Sequence, residues 1–192
     1  IAFAKRFGRI EQLVADREIV PISNQRADGT LLQDHEYGMQ IMRGNEGWHT
    51  DSSYMPLAAK ASVLSAHVVP KRGGETEWAD MRAAYDALDE ATRSRIANLA
   101  AYHSLHYSQG RIGHQASVGS SYGFHNEDPP LRPLVKVHPV TQRKSLYIGR
   151  HAYGIAGLTP AESERLLDEL VTFACQPPRT YRHTWSPGDV VI

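Results

Sequence analysis

The chain has 192 residues, 41% of them hydrophobic, with 21 acidic and 21 basic side chains, which is enough for one domain with a buried core and argues against disorder. Because the charges balance and form no long run of one sign, the sequence lacks the electrostatic surface typical of nucleic-acid or anionic-membrane binding, and we expect a small-molecule ligand. No apolar run approaches the roughly 18 to 20 residues of a membrane span, so no membrane partner is expected.

The N-terminal half is predicted to consist of short elements separated by loops. Residues 1–7 indicate the end of an amphipathic helix, and residues 18–24 predict a short strand. Residues 31–47 are polar and contain several glycines, which favours a loop. The apolar stretch at 61–70 predicts a buried strand, and a glycine turn leads from it into a second strand at 76–79.

The C-terminal half contains clearer helix signals. Asp80 and Asp89 are each able to cap a helix, and the second helix is predicted to run to about residue 101. Residues 108–132 are rich in Gly, Ser and His and predict a long loop, the kind of segment that often forms a lid or a binding site. Thr159, followed by Pro160 and Glu162, predicts a capping box at the start of a helix. Strands are predicted at 144–149 and 179–185 and from residue 189 onward.

Strands interleaved with a few helices, without a regular β–α repeat, indicate a mainly antiparallel sheet or barrel with flanking helices. We find no internal repeat and expect a single domain over residues 1–192. The first predicted helix has no cap, and the last predicted strand stops as it begins. We therefore expect a fragment that is truncated at both ends.

The triplet His49-Thr50-Asp51 is the main candidate for a chemical site. Residues i and i+2 of an extended chain share a face, so both side chains could reach one metal ion. Two histidines and one carboxylate on one face suit non-haem Fe(II) oxygenases, whereas a hydrolytic zinc site is a further alternative. From the triplet alone, a loop histidine beside a turn-capping aspartate is the more common outcome.

Longer motifs around this triplet resemble a known family. The segments WHTDSSY (48–54) and GGETEWADMRAAY (73–85) resemble, in order and separation, the taurine dioxygenase superfamily of Fe(II)- and 2-oxoglutarate-dependent oxygenases. The segments FAKRFG, PLRPLVKVHP and IGRHAYGIAGLTPAESERLLDEL are similar to the aryloxyalkanoate (phenoxypropanoate) herbicide dioxygenases. The resemblance covers nearly the whole chain and implies a double-stranded β-helix (jelly-roll) barrel, here incomplete.

The resemblance also implies roles for individual residues. His49 and Asp51 match the first two iron ligands, and Thr76, in the pattern G-G-x-T, matches a residue that helps to hold 2-oxoglutarate. Asn45 matches a position beside cosubstrate and substrate. Without the resemblance, Thr76 would be a surface strand residue and Asn45 a turn residue. The third ligand histidine and the arginine that pairs with 2-oxoglutarate are expected beyond Ile192.

Other histidines and arginines are weaker candidates. We expect His151 and His183 to be structural or exposed, and we expect polar surface roles for the histidines at or near the long loop. Arg82 and Arg150 could meet a substrate carboxylate, but salt bridging is the commoner role. The loop histidines are His103, His106, His114 and His125.

The implied reaction uses Fe(II), 2-oxoglutarate and O2 to hydroxylate the carbon next to the ether oxygen of an aryloxyalkanoate, giving a phenol and an oxo acid with succinate and CO2. The alternatives are a taurine or alkylsulfonate dioxygenase of the same family, or a non-catalytic ligand-binding barrel if the third ligand is truly absent. The chain as given is expected to be inactive. The expected partner is a small carboxylate, and a homo-oligomer is left open. The single cysteine, Cys175, favours a reducing compartment, and we expect a cytoplasmic location.

Overall fold

The computed structural model describes residues 1–11 and 18–192. Its helices are α1 (Tyr37–Gly44), α2 (Met81–Ala87), α3 (Glu90–Ile96), α4 (Leu105–Gly110) and α5 (Pro160–Ala174), with a 3₁₀ turn at Ala4–Arg6. Its strands are β1 (Leu64–Ser65), β2 (Thr76–Ala79), β3 (Ala100–His103), β4 (Leu131–Pro133), β5 (Val135–Val137), β6 (Lys144–Leu146), β7 (Ala152–Ile155), β8 (Thr180–His183) and β9 (Val190–Val191).

The strands of the described residues pair in four small antiparallel sheets. The largest has the order β4-β3-β7, and the others pair β1 with β9, β2 with β8, and β5 with β6. The predicted antiparallel sheets with flanking helices are therefore confirmed. Within the described residues these sheets do not close into a barrel.

Helix α5 supplies one side of the apolar core. The Thr159 hydroxyl accepts a hydrogen bond from the Glu162 backbone N–H at 3.3 Å, and the Glu162 carboxylate accepts one from the Thr159 N–H at 2.9 Å, as the predicted capping box requires. Leu166, Leu167 and Leu170 are at most 4% exposed and belong to the same apolar cluster as β7 residues. Burial of each leucine contributes about 1.5–3 kcal/mol, which fixes the helix against the sheet.

The two predicted aspartate caps are also confirmed. Asp80 accepts from the backbone N–H groups of Arg82 and Ala83, and Asp89 accepts from that of Thr92 at 2.7 Å. Helix α3 ends at Ile96, earlier than predicted, because the chain extends into β3, the central strand of the largest sheet. None of the helices in the two described ranges combines the length and apolar character of a bilayer-spanning segment.

Several predictions for the N-terminal half are wrong. The predicted loop at 31–47 contains α1, and the predicted strand at 18–24 is not formed. The predicted strand at 61–70 is reduced to β1, because β9 pairs with only two of its residues. The first predicted helix is only the 3₁₀ turn at Ala4–Arg6. Tertiary contacts explain α1, since Gly44 packs so closely on the Gln109 side chain of α4 that no Cβ would fit.

Candidate metal site

The two predicted metal ligands face each other in a segment that follows α1. Nε2 of His49 lies 3.1 Å from Oδ1 of Asp51, and Nδ1 of His49 lies 2.7 Å from the carbonyl oxygen of Gly47. Because a carbonyl oxygen only accepts, Nδ1 carries a proton and donates it, which directs Nε2 toward the carboxylate. Nε2 of His49 and Oδ1 of Asp51 therefore lie close enough to bind the same metal ion. The other ring nitrogen, Nδ1, is held by a backbone carbonyl, as is usual for metal-binding histidines.

The titration of the two side chains is coupled. Burial lowers the pKa of His49, but the hydrogen bonds to Asp51 and to the Gly47 carbonyl outweigh it, so the pKa is raised. The hydrogen bond from His49 is the main cause of the lowered pKa of Asp51. The side chains are 27% and 50% exposed, so an ion from solvent can reach them. A divalent cation would take the place of the proton that the pair shares.

The turn between β6 and β7 holds the backbone at His49. The Arg150 N–H donates to the Trp48 carbonyl oxygen at 2.9 Å. Gly149 has a φ of +144°, and a Cβ there would lie 3.0 Å from both the His49 Cα and the Trp48 carbonyl oxygen. Only glycine permits this approach. Sequence reasoning missed this contact, and only the isolated glycine at the end of a predicted strand hinted at it.

The ring of His151 packs against the ring of His49, but His151 is not placed as a metal ligand. It is 2% exposed, its Nδ1 lies 2.8 Å from the Ser108 hydroxyl, and its ring packs edge-on against the rings of His49 and Tyr54. Burial, together with the charges of His49 and Arg150, lowers the pKa of His151 to about 2. It is therefore neutral and structural. Across residues 1–11 and 18–192, no third histidine, cysteine or acidic side chain completes a set that could hold a metal ion.

The segment 111–130 between α4 and β4, called here the long loop, contacts the residues that follow Asp51. The Tyr122 hydroxyl lies 2.8 Å from that of Ser52, and His125 Nε2 donates to the Tyr54 carbonyl oxygen at 3.1 Å. Ser52 is 6% exposed and has a φ of +55°. From β4, Arg132 donates to the Ser53 carbonyl oxygen at 3.2 Å. The loop predicted as a lid or binding segment thus packs directly beside the ligand pair.

Thr76 and Asn45 lie on separate elements from the pair. The Thr76 hydroxyl in β2 accepts a hydrogen bond from Nε1 of Trp185 at 2.9 Å, opposite His183 of β8. Asn45 is exposed at the end of α1, where its N–H donates to the Met42 carbonyl oxygen. In the hydrogen bonds of the described residues, neither side chain contacts His49 or Asp51, so their cosubstrate roles stay predictions.

The other candidate histidines and arginines are buried or are engaged in hydrogen bonds, ion pairs or ring contacts. The expected surface roles of His103 and His114 are wrong, because they are 1% and 6% exposed. The side chain of Arg150 donates to the Ser108 carbonyl oxygen, and Arg82 pairs with its own helix cap, Asp80. His183 bonds to Asp189 at 2.9 Å, and His106 packs edge-on against Phe124. The His183–Asp189 pair is also a histidine beside a carboxylate, but its Asp189 oxygen already accepts from the Ser186 N–H at 2.8 Å, which leaves His49 and Asp51 as the candidate ligand pair.

Comparison with known proteins gives concordant matches over the whole chain. The sequence model of the taurine catabolism dioxygenase TauD, TfdA family matches residues 1–192. The (S)-phenoxypropionate/alpha-ketoglutarate-dioxygenase of Sphingobium herbicidovorans is 58% identical over 198 residues, which cover 100% of this chain and 67% of that protein. The protein of the same name from Delftia acidovorans is 54% identical, covering 100% of this chain and 68% of the relative.

A solved structure is similar in fold. The crystal structure of AAD-2 in complex with Mn(II) and N-oxalylglycine has a TM-score of 0.86 and 42% identity, and the match covers 98% of this chain and 66% of that one. The chain therefore spans about two thirds of the length of the relatives that it matches.

Proposed function

The chain belongs to the taurine catabolism dioxygenase TauD, TfdA family, and on this premise we propose that the protein is an Fe(II)- and 2-oxoglutarate-dependent dioxygenase of aryloxyalkanoates. The observation that carries the proposal is the His49–Asp51 pair, with Nε2 and Oδ1 3.1 Å apart. The substrate class follows from the two phenoxypropionate dioxygenases, which are 58% and 54% identical. The substrate is a small carboxylate.

The donor set fits Fe(II). One neutral imidazole and one carboxylate are two of the three ligands of the 2-His-1-carboxylate triad. Nδ1 of His49 is held by the Gly47 carbonyl, so that Nε2, which faces Asp51, is the nitrogen that would bind the metal in place of the proton. His49 and Asp51 would hold the iron. Residues outside these 192 would supply the third histidine and the arginine that pairs with 2-oxoglutarate. When bound, the iron and its cosubstrates 2-oxoglutarate and O2 supply the oxidation that hydroxylates the carbon next to the ether oxygen.

The chain's own residues fix the geometry of the proposed ligand pair. The Gly149–Arg150 backbone holds the segment that carries His49, and the buried ring of His151 backs the ligand imidazole. Thr76 and Asn45 are proposed to contact 2-oxoglutarate, with the Thr76 hydroxyl already oriented by Trp185. The hydroxylated product is a hemiacetal or hemiketal, which collapses to a phenol and an oxo acid, and the cosubstrate leaves as succinate and CO2.

We also propose the architecture and the cellular environment of the whole protein. We expect the sheets to belong to a jelly-roll barrel in a single dioxygenase domain that is completed at full length. The lone, half-buried Cys175 supports a reducing, cytoplasmic environment. Sizing of the full-length protein in solution would decide between a monomer and a homo-oligomer.

The test is turnover by the full-length protein supplied with Fe(II) and 2-oxoglutarate. The panel contains both enantiomers of a 2-phenoxypropanoate, a phenoxyacetate and taurine, and succinate and phenol are measured together. We expect phenol to form in step with succinate for at least one phenoxyalkanoate, and no such product from the His49→Ala variant. Sulfite release from taurine instead would identify the alkylsulfonate alternative. If no substrate raises succinate above the uncoupled background, the enzyme proposal is wrong and a ligand-binding barrel remains.

A further inference from the structure

The residue after the proposed ligand Asp51 has an unusual backbone. Ser52 adopts a left-handed conformation with φ of +55°, which is uncommon outside glycine because Cβ then crowds the following carbonyl oxygen. Such a conformation persists only where the surroundings enforce it, and it is concentrated at functional sites. The groups that enforce it here are therefore candidates for a functional role.

Tyr122 supplies the contact to the Ser52 side chain. The two hydroxyl oxygens are 2.8 Å apart, and Ser52 is 6% exposed, so water has little access to take the place of the phenol. Burial raises the pKa of Tyr122. The phenol therefore stays protonated at neutral pH, and either hydroxyl is able to donate.

Two further contacts seat the long loop on the same turn. His125 donates to the carbonyl oxygen of Tyr54 at 3.1 Å. Gly123, with φ of +85°, lies so close to the Tyr54 ring that a Cβ would collide with it. The loop thus fits the turn over successive residues, and Tyr122 is the member of the loop that reaches the residue next to Asp51.

The turn at Ser52 lies directly after the residue that carries the ligand carboxylate, Asp51. The Ser53 N–H donates to the Thr50 carbonyl oxygen at 3.4 Å, and the Met55 N–H donates to that of Ser52 at 3.0 Å. The backbone reverses at this point, and Asp51 faces back toward His49. If Ser52 relaxed to an extended or right-handed conformation, the turn that directly follows the ligand carboxylate would be lost.

We propose that Tyr122 is a positioning residue for the metal ligand Asp51 and acts through the Ser52 hydroxyl. The inference rests on the proposed function, since it takes His49 and Asp51 as ligands. Tyr122 lies 70 positions from Ser52 in sequence, in the long loop. We therefore predict that the long loop affects the affinity and geometry of metal binding, beyond any effect on access to the site.

The test compares two tyrosines that tether the same loop. Tyr37 donates to the Ser120 hydroxyl at 2.8 Å, which matches the length and chemistry of the Tyr122–Ser52 bond. Among the hydrogen bonds and ring contacts of residues 1–11 and 18–192, the Tyr37 side chain reaches no residue of the turn after Asp51. The full-length protein and its Tyr122→Phe, Tyr37→Phe and Ser52→Ala variants are titrated with Co(II), and affinity and the visible absorption of the bound ion are recorded. Urea unfolding checks that all variants are folded.

We expect Tyr122→Phe to weaken Co(II) binding about tenfold, as loss of a group supporting a ligand typically does, and to change the absorption of the bound ion. Ser52→Ala should have a similar effect. A variant that combines Tyr122→Phe with Ser52→Ala, titrated in the same way, should bind Co(II) no more weakly than whichever of the two single variants binds it less tightly. Tyr37→Phe should retain wild-type affinity and absorption.

The inference is overturned if Tyr122→Phe binds Co(II) with wild-type affinity and spectrum, or if Tyr37→Phe weakens binding equally. A separate arm tests the premise. If His49→Ala and Asp51→Ala leave Co(II) binding unchanged, the proposed metal site is wrong and the role of Tyr122 falls with it.

Discussion

Replacing Gly149 by alanine should disturb both the stability of the protein and its metal site. The new Cβ would lie 3.0 Å from the His49 Cα and from the Trp48 carbonyl oxygen, both of which are backbone atoms that cannot rotate away. Overpacking of this kind costs about 1–3 kcal/mol, and the φ of +144° adds about 1 kcal/mol because alanine disfavours it. We therefore expect the free energy of unfolding to fall by about 2–4 kcal/mol, measured by urea denaturation. Because relief of the clash moves His49, affinity for Mn(II) should fall as well.

Gly8 offers a matched control for this change. It has nearly the same backbone angle, φ +148°, but nothing lies within 4 Å of a Cβ built on it. Gly8→Ala should therefore cost only the backbone strain and leave metal affinity unchanged. Equal unfolding energies for the two variants, together with wild-type Mn(II) affinity for Gly149→Ala, would refute the view that this glycine allows the turn to hold the ligand segment.

Three further predictions concern the helix cap, acid stability and the cosubstrate. Thr159→Ala removes the capping box of α5 and should lower stability by about 1 kcal/mol in urea denaturation without affecting turnover, which a Ser replacement should largely restore. His103 is 1% exposed, and burial lowers its pKa to about 4. Because the unfolded chain then binds the proton more readily, stability should fall as pH drops from about 6.5 toward 4, by about 3 kcal/mol in total, and His103→Phe should flatten this part of the urea–pH profile. Thr76→Val leaves the Trp185 N–H without its acceptor and removes the hydroxyl proposed to contact 2-oxoglutarate. The KM for 2-oxoglutarate should rise about fivefold, the equivalent of one lost hydrogen bond. An unchanged KM would show that Thr76 does not belong to the cosubstrate site.

Elements with local signals were predictable from the sequence. The starts of α2, α3 and α5 follow from Asp80, Asp89 and Thr159, because a cap is a bond between residues two or three positions apart. Helix α1 was missed because its glycines favour a loop, whereas the packing of Gly44 on Gln109 favours a helix. The sheet of β4, β3 and β7 was also incompletely predicted, since pairing partners far apart in sequence leave no local pattern.

In the candidate site, too, the residues of one short motif were predictable from the sequence, and the residues that support them from distant segments were not. His49 and Asp51 were found because both belong to one short motif, and the structure brings their side chains to 3.1 Å. The groups that hold the motif come from distant segments, namely Gly149 from the β6–β7 turn and Tyr122 from the long loop. The burial of His103 and His114 was missed because both flank or lie in a stretch whose composition is typical of an exposed loop.

The central claim is that His49 and Asp51 bind ferrous iron together. The most direct measurement is an anaerobic Fe(II) titration of the full-length protein, in wild-type form and with His49→Ala and Asp51→Ala combined. The account predicts stoichiometric Fe(II) binding by the wild type and none by the double variant at the same concentrations. Equal Fe(II) binding by the two proteins, or none by the wild type, would contradict it.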